Sequence, residues 1–326
     1  MRTPVTTSRR AFALLSLAAL IGTAPVAAGA QLSADGYFRV WEDDHGSRLQ
    51  LELANSRDKS RNYSSTSFTI SASQLPGLTR AQLEASGATP LHFTLTRDAG
   101  TFTFAGEVRS GEGSGTYTFA GDAKYADALV KRGYERPDDT EQVRLALGDV
   151  SLAFVDELKA QGYPRSTLAD LARAGLHGVD IDYVRDMRAS GYALGDLRTL
   201  TRFRDHGVDP DYIAELKKAG YADLPADVLV HFRDHGVDGA YIDDLAEAGY
   251  TRQQPSELLR ARDHGVTGSF IKGFKAAGYT SLTLPELVRL QDHGVTGGFA
   301  RRERERTGTH VPSAEELVHA RNHPER

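Results

Sequence analysis

Between Gly36 and about Gly121, apolar and polar residues alternate with a period of two. Such alternation is typical of half-buried β-strands, whose successive side chains point to opposite faces of a sheet. It predicts about six antiparallel strands, in the segments 37–41, 49–53, 67–70, 91–95, 101–104 and 116–119. Glycine-rich segments at 98–100 and 111–115 are expected to be the turns between the last three strands, with a short helix near 81–83.

Beyond about residue 122, the apolar positions change to spacings of three and four. In the segment 191–219, one apolar set begins at Leu197 and a second begins at Tyr212. Each set predicts a short amphipathic helix, so the segment contains two. Helices of about ten residues are marginal alone in water, so burial must come from stacking on neighbouring helices.

Two short motifs recur through this region at a fixed spacing of 29 residues, His-Gly-Val in five copies and Gly-Tyr in six. A fixed period of this length is typical of a solenoid built from one supersecondary unit. The Gly-Tyr pairs begin at Gly133, Gly162, Gly191, Gly220, Gly249 and Gly278. The His-Gly-Val copies, with the aspartate that precedes four of them, are His177, Gly178, Val179, Asp205, His206, Gly207, Val208, Asp234, His235, Gly236, Val237, Asp263, His264, Gly265, Val266, Asp292, His293, Gly294 and Val295.

Both motifs fit the ends of helices. A helix often ends with a left-handed glycine, followed by an apolar residue that packs on the position three residues before the helix cap. Counting back finds an apolar residue each time, for example Phe203 for Val208 and Leu216 for Tyr221. Helix starts are expected at four N-cap residues, which are Asp180, Asp209, Asp238 and Thr267.

Other recurring positions have structural interpretations. An aromatic residue two or three positions into the second helix of each unit is predicted to be core. The ends of the array depart from the pattern, with Gly148-Asp149-Val150 at one end and an Arg/Glu run at 301–306 at the other. Because terminal units of a solenoid need a polar outer face, both departures are interpreted as caps. The core aromatics are Phe154, Tyr183, Tyr212, Tyr241, Phe270 and Phe299.

The N-terminus has the pattern of a signal peptide. Arg9 and Arg10 precede an apolar run over residues 11–21, and the small residues 28–30 suit cleavage before Gln31. The arginine pair fits both the general secretory route and the twin-arginine route, which leaves the route open. The sequence therefore predicts a signal peptide at 1–30 and a periplasmic or secreted mature chain.

The whole pattern predicts an α+β multidomain protein. Residues 31–121 are expected to form a small antiparallel β-sandwich or partly open barrel, and residues 122–326 an α-helical hairpin solenoid of 29-residue repeats. The chain has no cysteine, which excludes disulfides and thiolate chemistry. Its 39 basic and 44 acidic residues give a net charge of −5. We therefore expect neither a nucleic-acid partner nor an integral membrane segment after signal cleavage, and no cofactor.

The five histidines of the His-Gly-Val motif, here called the histidine column, invite a metal or catalytic interpretation. Stacked helices lie about 8–10 Å apart, however, whereas metal–ligand bonds are about 2 Å, so equivalent histidines cannot share one ion. A histidine at a helix C-terminus interacts favourably with the helix dipole. The negatively charged aspartate before it does not interact favourably with this end of the dipole. We therefore expect the aspartate to pair with a histidine or arginine of the same or the next repeat.

Two further histidine pairs are metal candidates. His231 with His235 and His319 with His323 are each four residues apart on a helix, and can meet on one face. His310 can approach the second pair, but the sequence shows no fixed third ligand. These pairs carry the alternative function, a metal-binding protein or metal-dependent hydrolase.

The motif Asp-His-Gly-Val followed by Tyr-Ile-x-x-Leu-x-x-Ala-Gly-Tyr resembles helical repeats of poorly characterised bacterial envelope proteins. Some similar arrays are appended to membrane sensor metallopeptidases of the beta-lactam-response type. The resemblance covers roughly residues 122–323 and implies an exported sensing or interaction module. This chain lacks the peptidase motif and membrane helices, so no catalytic residue carries over.

The leading hypothesis from the sequence is a non-enzymatic, protein- or peptide-binding scaffold of the bacterial envelope. The partner is an unknown envelope protein or peptide, and the oligomeric state stays open. Candidate contact residues on the exposed helix faces are Arg202, Arg204, Lys217, Lys218, Arg233 and Arg262.

Overall fold

The computed structural model describes residues 32–43, 48–55, 64–192 and 195–323. The predicted signal peptide at 1–30 lies outside the described residues.

The N-terminal strands form one antiparallel sheet with the order β3-β2-β1-β6-β5-β4. Every neighbouring pair is antiparallel, for example Phe38 opposite Leu53 on one side of β1 and opposite Gly115 on the other. The described strands are thus the six that the alternation predicts, with longer bounds. They are β1 Asp35–Glu42, β2 Leu49–Ala54, β3 Ser65–Ile70, β4 Thr89–Arg97, β5 Gly100–Arg109 and β6 Glu112–Gly121.

The sheet curls around an aromatic core. Phe38 on β1 and Phe93 on β4 have ring centroids 5.3 Å apart, and Phe93 stacks on Phe104 of β5 at 4.4 Å. In the sheet, β6 and β5 lie between β1 and β4, so a flat sheet would separate these two strands by about 14 Å. The short distance between the two rings therefore requires strong curvature.

The prediction of a turn at 111–115 is only partly correct. Ser110 and Gly111 have the positive φ angles of the turn, 52° and 84°, but β6 already begins at Glu112. Two glycines of that segment are strand residues whose missing side chains allow close packing. A Cβ on Gly115 would lie 2.1 Å from the carbonyl oxygen of Ala105, and one on Gly113 would lie 2.6 Å from Leu91.

Most helices that follow the sheet have nine residues. The short helix α1, Arg80–Leu83, lies earlier, between β3 and β4, and Thr79 caps it through a capping box with Gln82. The others are α2 Ala123–Lys131, α3 Asp139–Leu147, α4 Leu152–Ala160, α5 Leu168–Leu176, α6 Ile181–Ala189, α7 Leu197–Asp205, α8 Pro210–Lys218, α9 Ala226–Asp234, α10 Gly239–Glu247, α11 Pro255–Asp263, α12 Gly268–Ala276, α13 Leu284–Asp292, α14 Gly297–Thr307 and α15 Ala314–Asn322.

The helices pack in two sets. Odd-numbered helices from α3 to α15 contact the next odd-numbered helix, as α3 with α5 and α13 with α15. Even-numbered helices do the same, as α4 with α6 and α12 with α14. The residues between the two sets are the apolar ones that the three-and-four spacing selects, and Phe203, Leu216 and Phe232 are at most 1 % exposed. Burial from neighbouring helices thus compensates for the shortness of each helix.

The sheet and the helices contact each other directly. Helix α3 packs on β5 and β6, and the backbone N–H of Leu152 donates to Asp98 Oδ2 at 2.9 Å. Arg97 also forms an ion pair with Asp149 at 3.2 Å. The Gly148-Asp149-Val150 departure therefore lies at the junction with the sheet, and the sheet covers this end instead of a polar outer face. The described architecture is an antiparallel six-stranded sheet followed by a helical part.

Candidate functional site: the histidine column

The histidines of the column lie at helix C-termini, and the local sequence determines where these helices end. Gly207 has φ 66°, its N–H donates to Arg204 O at 3.2 Å, and the N–H of Val208 donates to Phe203 O at 2.9 Å. These two hydrogen bonds close a Schellman motif, which satisfies carbonyls at the end of the helix. The same pair of bonds recurs at all five His-Gly-Val copies and all six Gly-Tyr pairs. Each histidine of the column is the C-cap residue of its helix.

The column aspartates, Asp205, Asp234, Asp263 and Asp292, pair with the histidine of the preceding odd-numbered helix. His206 Nδ1 lies 2.7 Å from Asp234 Oδ1, and the same contact is 2.5 Å between His235 and Asp263. His264 pairs with Asp292 at 2.5 Å, and His177 pairs with Asp205. The sequence left open whether the aspartate meets its own or the adjacent repeat. In the structure it reaches the adjacent one, so each pair connects two helices.

An arginine directly before three of these aspartates makes a second contact to the preceding unit. The guanidinium carbons of Arg204, Arg233 and Arg262 each lie 4.8 Å from a tyrosine ring centroid. A guanidinium over an aromatic face is attracted by the ring quadrupole. The rings are those of Tyr183, Tyr212 and Tyr241, in the same order.

The tyrosines are core residues with one polar bond each. Tyr212 is 3 % exposed, and its hydroxyl donates to the carbonyl oxygen of Val237 at 2.7 Å. Tyr183 makes the same bond to Val208 at 2.6 Å and Tyr241 to Val266 at 3.1 Å. Burial raises the pKa of all three hydroxyls, and the arginine over each ring offsets part of the rise. The tyrosines are therefore neutral hydrogen-bond donors that connect one unit to the next.

The sequence pattern predicts the aromatic core but not these hydroxyl bonds and arginine contacts. A signal for them exists within the repeats. Where the aromatic residue is Phe270 instead of tyrosine, the arginine position holds Gln291, and where it is Phe154, that position holds Gly175. At Tyr183, Tyr212 and Tyr241 the arginine thus accompanies the tyrosine, whereas the first tyrosine of the column, Tyr125, has Ala146 at that position. The partners are 21 residues apart in the chain.

The ends of the column differ from its interior. Gly148 stands where a histidine would be and Leu176 stands where its aspartate would be, so both members of the pair are missing together. At the other end, the amide Nδ2 of Asn322 lies 3.2 Å from His293 Nδ1. An amide nitrogen donates, so this imidazole nitrogen accepts, whereas the other column histidines face a carboxylate.

Four column histidines contact their aspartates through Nδ1, so Nε2 is the ring nitrogen outside each pair. The side chains of His177, His206, His235 and His264 are between 32 % and 43 % exposed, and in the described part of the chain their Nε2 atoms form no hydrogen bond. An imidazole oriented by a carboxylate at Nδ1 has the arrangement of a general base. Within residues 64–192 and 195–323, however, no hydroxyl, thiol or amine is hydrogen-bonded to Nε2, so the nucleophile of a catalytic triad is missing there.

The metal candidates do not come together as a site. His235 is engaged by Asp263 through Nδ1, and His231 lies one turn earlier on α9. The rings of His319 and His323 are 4.8 Å apart, but His310 Nε2 lies 3.1 Å from Glu316 Oε1. Among the described residues, no group of three or more histidine, cysteine, aspartate or glutamate side chains has the geometry to hold a metal ion.

The predicted surface cations divide into different roles. Arg204, Arg233 and Arg262 are occupied by the tyrosine rings, and Lys217 Nζ donates to Ser190 O at 2.5 Å. Arg202 forms an ion pair with Asp227 at 2.6 Å. Lys218 is exposed at the end of α8.

Comparison of the chain with family models, with curated proteins and with solved structures gave no match. Over the stretches of chain that are described, no helix has the length and hydrophobicity that crossing a membrane requires.

Proposed function

We propose that this chain is an exported, non-enzymatic scaffold of the bacterial envelope that binds a protein or peptide. In this proposal the helical part is an α-solenoid of 29-residue repeats. The curved sheet is a partly open barrel that closes the N-terminal end of the solenoid. The partner is an envelope protein or peptide, and a link to envelope sensing follows from the resemblance of the repeats.

One observation carries the proposal. The side chains that recur in the helical part are engaged in contacts between units. The column aspartates bind histidines, the arginines cover tyrosines, and the tyrosine hydroxyls bind valine carbonyls. Catalytic or metal-binding residues would instead direct these groups into a common cavity. What remains for a partner is the outer face of the helices, as in solenoid proteins that bind through an extended surface.

The regular separation of the contacts supports the solenoid. The Asp–His pairs are 28 residues apart in the chain, and the tyrosine–valine bonds are 25 residues apart in every case. Contacts that repeat at a constant separation are those of units that touch only their nearest neighbours. The arginine pair, apolar run and small residues at 9–30 support export.

Cross-linking of the full-length chain in intact bacterial cells tests the proposal. We expect the mature chain to begin at Gln31 and to form an adduct with one discrete envelope protein. A chain that keeps residues 1–30 and stays inside the cell would contradict export. A chain that is exported but forms no discrete adduct would contradict the scaffold role.

Metal analysis of the purified chain tests the alternative, a metal-binding protein or metal-dependent hydrolase. Its support is the proximity of the His319 and His323 rings, together with a cavity of about 220 Å³ that His310 and His319 line. Stoichiometric zinc that the double substitution His319→Ala and His323→Ala removes would favour this function over the scaffold. Zinc below stoichiometry, unchanged by the substitutions, would favour the scaffold.

A further inference from the structure

One column of the odd-numbered helices holds arginine in five of the six helices from α3 to α13. It lies four residues before the helix C-cap, on the outer face of each helix. Arg144 is half-buried and the others are exposed. His231 interrupts the row at its fourth place. The arginine stripe, as we call this set, consists of Arg144, Arg173, Arg202, Arg260 and Arg289.

The arginine stripe has few partners within the protein. Arg202 pairs with Asp227 at 2.6 Å and Arg289 with Glu315 at 3.7 Å, and both carboxylates are more than 70 % exposed. In the part of the chain that the structure describes, the side chains of Arg144, Arg173 and Arg260 form no ion pair or hydrogen bond. Exposed pairs of this kind contribute about 0–1 kcal/mol, so internal contacts do not account for the stripe.

The other recurring cations, in contrast, contact groups of the preceding unit. Arg233 lies over the ring of Tyr212, and Lys217 binds a carbonyl of the preceding unit. The stripe arginines do share one structural effect, since a cation in the last turn of a helix is favourable by about 0.3–1 kcal/mol. That effect acts on stability alone, so stability and binding measurements can separate it from a role in recognition.

We propose that the arginine stripe binds an extended acidic segment of a partner protein, with a carboxylate at about every third residue. This inference rests on the proposed scaffold function and names the chemistry of its partner. Neighbouring helices lie about 8–10 Å apart. A polyproline II chain rises about 9.3 Å over one turn of three residues, which returns the side chain to the same face. Acidic side chains with that period meet successive arginines of the stripe.

The adjacent aspartates do not oppose this segment directly. Asp205 lies three residues after Arg202 on α7, but its carboxylate is bound by His177 of the preceding unit. The same holds for Asp292, three residues after Arg289, which His264 binds. The two aspartates that follow stripe arginines on the same helix are therefore directed at histidines, whereas the carboxylates of Asp227 and Glu315 contact Arg202 and Arg289.

A peptide fits the arginine stripe better than a nucleic acid does. Duplex DNA carries about one phosphate per 1.7 Å, far denser than one cation per helix. Proteins that bind single strands add exposed aromatic side chains on which bases stack. The tyrosines that the column arginines cover are buried, with Tyr183 and Tyr241 each 5 % exposed, and the tyrosines of the Gly-Tyr pairs are buried or half-buried. The spacing and the lack of exposed rings in this column favour an acidic peptide.

Binding of two synthetic peptides to the full chain tests the inference by fluorescence anisotropy. One peptide consists of consecutive Glu-Pro-Pro triplets, and its isomer has the same glutamates in one block. We expect the triplet peptide to bind more tightly than the isomer.

The combined substitutions Arg144→Glu, Arg173→Glu and Arg260→Glu should weaken binding of the triplet peptide at least about tenfold. The matched control, Lys124→Glu, Lys131→Glu and Arg301→Glu, makes the same change in net charge at exposed sites outside the stripe. It should change binding less than about twofold.

A neutral set, Arg144→Gln, Arg173→Gln and Arg260→Gln, serves if the charge reversals unfold the chain. Melting temperatures of all variants show whether folding is retained. Equal binding of both peptides, or equal loss in the control set, would overturn the inference. A single-stranded oligonucleotide that binds more tightly than the triplet peptide, through the same arginines, would overturn it in favour of nucleic acid.

The inference and the proposed function fail in different ways. If the chain cross-links to a discrete envelope protein but the triplet peptide does not bind, the acidic-segment inference is wrong and the scaffold function stands. If the charge reversals leave that cross-link unchanged, the inference is wrong again. If neither cross-link nor peptide binding is found, both fail.

Discussion

The contact between α3 and α5 and the contact between α7 and α9 use the same helix ends in different ways. At α7–α9, His206 meets Asp234 and Arg233 covers Tyr212. At α3–α5, Gly148 and Gly175 take the places of the histidine and the arginine. A Cβ on Gly175 would lie 1.9 Å from the carbonyl oxygen of Gly148, so the two backbones touch.

This comparison separates two roles that the sequence motif combines. Val150 and Val208 end their helices with the same backbone hydrogen bond, at 2.9 Å in both cases. The left-handed residue at the first end is Asp149, with φ 50°, and at the second it is Gly207. Helix termination therefore needs neither the histidine nor its aspartate. The histidine–aspartate pairs join α5 to α7, α7 to α9, α9 to α11 and α11 to α13.

The largest effect on the internal contacts is expected from alkaline pH. Burial raises the pKa of Tyr183, Tyr212 and Tyr241 in the folded chain. Because a raised folded-state pKa favours the protonated fold, this stability is fully present below the unfolded pKa of about 10 and is lost as pH rises above it. The melting temperature should therefore change little between about pH 8 and 9 and fall steeply as pH rises above about 10.

The triple variant Tyr183→Phe, Tyr212→Phe and Tyr241→Phe is the control for the alkaline effect. Its melting temperature should fall less steeply over the same range, because three titrating groups are gone. Burial also raises the pKa of Tyr117, to about 12, so the sheet retains some dependence. Identical slopes for the two proteins would contradict the assignment to the internal tyrosines.

The next effect tests the close contact at α3–α5. Gly175→Ala should lower the free energy of unfolding by about 2–3 kcal/mol, because the added methyl group overlaps the Gly148 carbonyl. The comparison is Gly162→Ala, where φ is 83° and the Cβ would meet open space. That variant should cost about 1 kcal/mol through its backbone conformation alone. Urea unfolding measures both, and a smaller loss for Gly175→Ala than for Gly162→Ala would rule out the close approach.

A smaller effect is expected from removing one tyrosine hydroxyl. Tyr212→Phe leaves the buried carbonyl of Val237 without its donor and should cost about 1–2 kcal/mol. Tyr163 offers the matched control, since its hydroxyl is buried without a hydrogen-bond partner. Tyr163→Phe should be neutral or stabilising in the same unfolding experiment. Equal losses for the two variants would show that the Tyr212 bond contributes nothing.

Local patterns were enough to predict the six strands and the helix ends. The count from Val208 back to Phe203 involves six consecutive residues, and the structure contains that hydrogen bond. Contacts between units were harder to predict, because the arginine that covers Tyr183 is 21 residues further along the chain. The strand glycines Gly113 and Gly115 were placed in a turn, since glycine alone does not distinguish a turn from a close approach between strands.

For the candidate site too, local features were predictable from the sequence, whereas contacts between units were not. Periodicity and helix chemistry predicted that the column was structural and that its aspartates needed a partner. They did not determine which histidine each aspartate meets, because that depends on how neighbouring helices stack. The arginine stripe was visible only after the structure separated the occupied cations from the exposed ones.

A double-mutant cycle between His206 and Asp234 tests the central claim, that the histidine column connects neighbouring units. His206→Gln, Asp234→Asn and the double variant are compared by urea unfolding. Both side chains are more than 30 % exposed, so the expected coupling is modest, about 0.3–1 kcal/mol. The same cycle between His206 and Asp263, which binds His235 instead, should show no coupling. A coupling of zero at His206–Asp234 would contradict the account.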